Sequence, residues 1–365
     1  MSNHSTPMRI FSGALKDRNA NLKEALQSLS ITRSQYTPPE IKIKSQIGTT
    51  TSPYEKKFTQ GATLVPRALW FVKIIADPEM TTDSHSHFIK TDTGLSLRPP
   101  WNKIRMNQTI EKKFIYATLL GQDIMPFCHL PFRVVLIPGL LEETRIRLFR
   151  ATEDIERLGY SYFAIYFKLA EQYWKKNRTK KCEKYSLSEW INYRQKLTKQ
   201  KIRKKDFKVL FLSSAANIAA CVIDQKQPIQ YKVNGIEIEP QGFIVESKTY
   251  WFETDNENEA RYLCAILNSP IIDQLIKPIQ SRGLWGTRDI HKRPLSIPFP
   301  LYNETNKDHQ ELARLAKTCS KIMQNNQFKL INHSLSTGKR RTYTRKLLAS
   351  ELQEIDSITK RVLGL

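Results

Sequence analysis

Ala68-Leu69-Trp70-Phe71-Val72-Lys73-Ile74-Ile75, bounded by Pro66 and Pro78, reads as a β-strand. Aromatic and β-branched side chains fit a pleated, half-buried surface, and the flanking prolines cannot extend a hydrogen-bonded ladder. Further strand candidates are Arg133–Ile137, Val209–Leu212, Ala219–Ile223 and Gly242–Phe252. Between them, Leu141–Lys205 carries Leu148, Ile155, Leu158, Tyr162, Ile165 and Leu169 at broadly helical intervals. Two more helices are expected downstream. One follows Glu257, carries Tyr262, Leu263, Ile266 and Leu267 on one face, and stops at Asn268-Ser269-Pro270, because the residue before a proline is steered out of the helical region. The other begins near Asp308 and aligns Leu312, Leu315, Cys319 and Met323. A short helix is expected over Leu15–Leu29. After the basic group Lys339-Arg340-Arg341, the spacing of Leu348, Leu352, Ile355, Thr359 and Val362 predicts a C-terminal amphipathic helix that packs within this chain. Strands and helices segregated in this way predict an α+β protein.

Charge narrows the function. The 365 residues hold 58 Lys and Arg against 35 Asp and Glu, a formal charge of +23, which calls for a polyanionic partner. Disordered basic chains rarely keep 40% apolar and 10% aromatic residues beside such a charge, so a folded nucleic-acid binder is expected. The excess is local as well as global: residues 168–208 hold 15 Lys and Arg against 4 Asp and Glu. The five cysteines are scattered singly, which argues against a zinc site or a disulfide framework and suits a reducing cytoplasm. No stretch approaches the apolar length of a membrane span, and no signal sequence is read at the start.

Motifs for chemistry are sparse. Binding S-adenosylmethionine calls for a glycine-rich strand-to-helix turn, and the chain has no G-x-G. Methylation of adenine also needs an acceptor before Pro-Pro-aromatic to hold the flipped base's amino group. The nearest string, Arg98-Pro99-Pro100-Trp101, offers arginine, which has no acceptor atom, and reads as a turn. Asp224 with Glu246-Ser247-Lys248 matches the loose pattern of a magnesium-dependent endonuclease, in which carboxylates share a metal and the lysine steadies the phosphate. The alternative is an ordinary exposed strand face. The histidines form no metal-ligand spacing, and no serine or cysteine sits in a G-x-S-x-G elbow.

The densest local signal is the loop Gln280 to Pro294. Arg282, Arg288, His291, Lys292 and Arg293 could contact phosphates or guanine edges, Trp285 could stack, and the glycines permit close backbone approach. Lys199, Lys201, Arg203 and Lys204 form a second candidate patch for phosphates, or a solvated face.

Several strings resemble the C-terminal halves of large adenine-specific DNA methyltransferases from bacterial restriction-modification and phage-exclusion systems. They are Phe58-Thr59-Gln60-Gly61-Ala62-Thr63-Leu64-Val65-Pro66-Arg67, Leu120-Gly121-Gln122-Asp123-Ile124-Met125-Pro126-Phe127, Ala215 to Ala220, and Tyr250-Trp251-Phe252. Ala260 to Pro270, Gly286 to Leu295 and the ending Leu363-Gly364-Leu365 continue the series, so the resemblance covers about residues 50–365. Leu267-Asn268-Ser269-Pro270 and Arg288-Asp289-Ile290-His291-Lys292-Arg293-Pro294 are its most specific parts. In that family these strings lie in the target-recognition region, beyond the methylating domain.

The resemblance implies a duplex DNA partner and a catalytic function supplied from elsewhere. The S-adenosylmethionine site would belong to a separately encoded catalytic chain or a missing domain, with no cofactor held here. The expected layout is a poorly packed lead-in (1–50), a mixed-sheet domain (51–140), a basic helical connector (141–208), a target-recognition domain (209–335) and the C-terminal helix (336–365). A non-catalytic specificity subunit of a restriction complex is a further alternative beside the endonuclease.

Overall fold

The computed structural model describes residues 6–15, 17, 19–36, 51–75, 85–226, 228–233, 236–283, 286–287, 289–331 and 335–365. They form an α+β fold around two main sheets. The larger sheet has the strand order Phe243–Val245, Ile115–Leu119, Arg133–Leu136, Phe71–Ile74, Ser86–Thr91, Asn107–Glu111, with a parallel first pair and antiparallel pairs thereafter. The smaller sheet is antiparallel, in the order Ala220–Asp224, Phe207–Leu212, Thr249–Thr254, Thr59–Gln60.

The parallel pair separates two hydrophobic cores. Phe243 and Val245 lie opposite Ala117 and Leu119, and all four face the first core, whereas Ile244 faces the second. This is the two-residue alternation of a strand covered on both sides. Helices Glu257–Asn268, Lys307–Asn325 and Ala349–Leu363 pack over the first core. Helix Ser161–Asn177 closes the second, burying Phe163, Phe167, Ala170 and Trp174 at helical spacing. The rings of Phe163 and Phe114 stack 3.8 Å apart there.

Several elements depart from the sequence reading. The expected strand Ala68–Ile75 opens as a helical turn, Arg67–Trp70, before the strand Phe71–Ile74. Ala68, Leu69 and Trp70 are all fully buried, which a strand covered on one face cannot do with three consecutive side chains. The expected helix from Leu141 begins instead as a hairpin, Gly139–Glu142 paired with Arg145–Leu148, followed by helices Thr152–Arg157 and Ser161–Asn177. Gly159, at a φ of 82°, separates those two helices. Gly242–Phe252 is two strands in different sheets. A turn closed by the Thr249 N–H donating to the Glu246 carbonyl (3.0 Å) redirects the chain between them. The larger sheet thus takes Phe243–Val245 from this stretch, and the smaller sheet takes Thr249–Thr254.

Near the start, the helix is shorter than expected, Leu22–Ser28, and lies between paired strands Thr6–Ser12 and Ser30–Tyr36. None of that helix is buried, and Leu22 is 75% exposed. At the other end there are two helices, Thr337–Leu347 and Ala349–Leu363, broken at Leu348. They do pack within the chain: Leu352, Ile355 and Ile358 join the first core, and Asp356 accepts from the Ile271 N–H (2.6 Å) and the Ser269 hydroxyl (3.1 Å).

Candidate nucleic-acid interface

Gly61 sets the geometry of the site. A Cβ there would stand 2.4 Å from the main-chain oxygens of both Val245 and Glu246, so only glycine lets the chain cross so closely. The Gly61 N–H donates to Thr249 O (3.0 Å) and the Ala62 N–H to Val245 O (2.7 Å), joining the segment to both main sheets. Just before this crossing, Phe58, Thr59 and Gln60 form one wall of a cleft of about 480 Å³.

The cleft is basic and partly aromatic. Lys56, Arg194, Lys196, Lys199 and Lys292 line it, together with Tyr250, Trp251 and the fully buried Phe58 behind them, and none of its described lining residues is a carboxylate. Lys292 Nζ donates to Glu55 O (2.7 Å), and Lys196 Nζ to Gln60 Oε1 (2.5 Å), which in turn is oriented by its Nε2 donating to Ser247 O (2.7 Å). Partial burial, then the neighbouring Arg194, lowers the Lys196 ammonium below the usual lysine range. Like charges held at one place without compensating acid favour an incoming anion such as phosphate.

The structure brings together Lys199 and Lys292 of the residues singled out from sequence, and distributes the rest. His291 is exposed in a left-handed conformation (φ 46°), its N–H donating to Ser213 O (2.9 Å). Arg293 turns onto the main chain, with Nη1 donating to Asp289 O (2.6 Å), so it braces the loop. Arg282 starts a two-residue strand, Arg282–Gly283, paired with Gly286–Thr287. Trp285 and Arg288 lie outside the described residues. Lys201 and Lys204 crowd each other near Glu253, and the contact with Lys204 lowers the Lys201 ammonium. Arg203 donates to Pro240 O (3.2 Å). Lys56, Gln60, Arg194 and Lys196 escaped the sequence reading because nothing in one dimension joins residue 56 to residue 292.

The endonuclease constellation does not assemble. Asp224 lies level with Phe207, and Lys248 lies just past Thr249, which pairs with Leu212; five residues of strand, roughly 17 Å, separate the two ends. Glu246 is buried, and its oxygens accept from Arg67 (3.4 Å), the Ser247 hydroxyl (2.9 Å) and the Lys248 N–H (2.9 Å). Its work is to hold the turn between the two sheets. Among the described residues no group of three His, Cys, Asp or Glu is placed to hold a metal ion, and no helix is long and apolar enough to cross a membrane.

No protein-family model matches the chain, and no curated protein matches it. Among solved structures, it is similar to the type IIL restriction-modification enzyme MmeI in complex with DNA, at 14% identity and a TM-score of 0.42, over 69% of this chain and 28% of that one. It is also similar to the type IIG restriction endonuclease BpuSI, at 12% identity and a TM-score of 0.34, over 91% of this chain and 36% of that one. The chain therefore spans about a third of the length of either enzyme.

Proposed function

We propose that this chain binds duplex DNA as the target-recognition part of an adenine-specific DNA methyltransferase. Methyl transfer from S-adenosylmethionine would be carried out by a separate catalytic chain or domain. The observation that carries the reading is the cleft: Lys199 and Lys292, far apart in sequence, meet Lys56, Arg194 and Lys196 beside Tyr250 and Trp251. Five cations without a carboxylate suit the phosphate backbone, whose contacts set register and supply much of the affinity. The adenine-specific assignment rests on the sequence resemblance, whose string at residues 288–294 contains Lys292 of the cleft. Base reading falls to the loop 282–291, beside that lysine.

The test is a salt titration of duplex binding by the full chain. About five phosphate contacts give a slope of log affinity against log salt near −4 to −5. A flat response would remove the cleft from DNA binding. Adding the catalytic chain should then restrict methylation to adenines in one short sequence, and methylation without sequence preference would overturn the target-recognition role.

A further inference from the structure

A row of aromatic rings leads away from the cleft. Trp101 stacks with Trp174 (6.2 Å between centroids, 28° between planes), and Trp174 with Trp190 (5.7 Å, 27°). Trp190 also meets Tyr185 (5.6 Å) and Tyr193 (5.4 Å). Each tyrosine carries a cation over its ring: Lys184 at 5.2 Å from the Tyr185 centroid and Arg194 at 5.3 Å from that of Tyr193. Because Arg194 also lines the cleft, the two surfaces are continuous.

Only Trp174 belongs to the core, its indole N–H satisfied by Tyr185 O (3.1 Å). Trp101, Tyr185, Trp190 and Tyr193 remain partly open to solvent. The three tryptophans line a cavity of about 480 Å³ with Arg67, Arg98 and Arg178 at its edge. Arg67 reaches buried Glu246 through Nη2 (3.4 Å), and its side chain stays partly exposed beside the cavity. Trp190, Tyr185 and Tyr193 line a second depression of about 670 Å³ with Lys180, Lys181 and Lys184 and one carboxylate, Glu183, so cations outnumber it three to one. Each volume lies in the range that encloses a small organic ligand.

A duplex does not use such a surface, because its base faces are hidden in the stack and only phosphates and groove edges are offered. An unpaired strand offers what these residues can bind: π-faces for the open rings and phosphates for the cations alongside. We propose that the surface from Trp101 to Tyr193 binds an unpaired DNA strand, with bases against the open aromatic rings and the backbone along Arg98, Lys180, Lys181 and Lys184. The proposal deepens the DNA-binding reading and rests on the same partner class, but on a different surface from the duplex cleft.

The test measures anisotropy of two labelled probes on the full chain, a twelve-residue oligothymidylate and a 20-base-pair hairpin duplex. Trp190→Leu and Tyr193→Leu should each weaken oligothymidylate binding at least about fivefold, the low end for one lost stacking contact, with less than about twofold effect on the duplex. Tyr193→Phe keeps the ring and should keep the affinity, so the comparison at position 193 stands if Trp190→Leu does not fold. Lys199→Ala with Lys292→Ala should weaken duplex binding more than oligothymidylate binding. Absence of oligothymidylate binding, indifference to both leucine variants, or equal loss on the two probes overturns the proposal. Aromatic-dependent binding of oligothymidylate with no duplex binding would instead support this surface and overturn the duplex cleft.

Discussion

Lys292 and Glu55 meet across the mouth of the basic cleft, the lysine ammonium donating to the Glu55 main-chain oxygen over 2.7 Å. The contact ties the loop after the short 286–287 strand to the segment that leads into Phe58 and Gln60, and it fixes one cation where four others converge. A lysine so held gives up little further freedom when phosphate arrives, which is how preorganisation strengthens binding.

Cleft and non-cleft lysines should therefore differ. Lys199→Ala removes an exposed cation from the cleft and should lower affinity for all duplex sequences alike, reducing the salt slope by about one unit. Lys201→Ala and Lys204→Ala, at the Glu253 cluster, should change affinity by less than about twofold. Fluorescence anisotropy at several salt concentrations reads both; a larger effect at Lys201 than at Lys199 would move the interface to the Glu253 side.

Asn268 is the buried link between helix Glu257–Asn268 and the smaller sheet. Its Oδ1 accepts from the Ala220 N–H (3.0 Å), and its Nδ2 donates to Ala220 O and Cys264 O (both 2.9 Å). Asn268→Ala orphans the edge-strand N–H of Ala220 in the core, while Ala220 O keeps the Phe127 N–H (2.8 Å), and should cost about 1–3 kcal/mol in urea unfolding. Asn268→Asp keeps the acceptor but loses the donor and places a charge at a site 1% exposed, so it should cost at least as much.

Glu246→Ala should destabilise by about 3 kcal/mol, because it removes a buried carboxylate that accepts from Arg67, Ser247 and Lys248 at once. Magnesium should not shift the melting temperature of either protein, whereas a magnesium-dependent stabilisation lost in Glu246→Ala would revive a metal site there.

What the sequence made legible follows from range. Helices Glu257–Asn268 and Lys307–Asn325 were readable because each carries its own periodicity, to which the structure adds the capping asparagines Asn256 and Asn306. Strand Phe207–Leu212 was likewise visible, being buried along its whole length. The turn at Glu246–Lys248 was not, since the apolar pattern of Gly242–Phe252 runs through it and only the pairing of its halves with different sheets reveals the break. The cleft was half legible for the same reason. The basic run supplied Lys199 and the loop supplied Lys292, but their meeting with Lys56 depends on Gly61, whose role is a contact with residues 245–246.

Lys208 offers a test by pH, because its ammonium is fully buried with one main-chain acceptor, Lys201 O at 3.1 Å, and one carboxylate, Glu253, at 4.0 Å. Burial lowers its pKa to about 8, with Glu253 only partly opposing the shift, and the charge rests over the Trp251 ring at 4.9 Å. In the unfolded chain the same group titrates near 10.4. Between these values the unfolded state binds more protons than the folded state, so stability from this group rises with pH from about 8 to about 10.4 and is flat below 8. The gain over the whole window is on the order of 3 kcal/mol. Buried tyrosines oppose it from about pH 10 upward, since burial raises Tyr116 and Tyr166 and the unfolded state then loses its phenolic protons first. The comparison is therefore made between pH 7.5 and 9.5, with Lys208→Met as the reference. The difference in unfolding free energy between wild type and Lys208→Met should drift toward the wild type as pH rises through that interval. A difference that stays constant would mean that Lys208 keeps an ordinary ammonium in the folded protein, and that the burial described here is relieved by water.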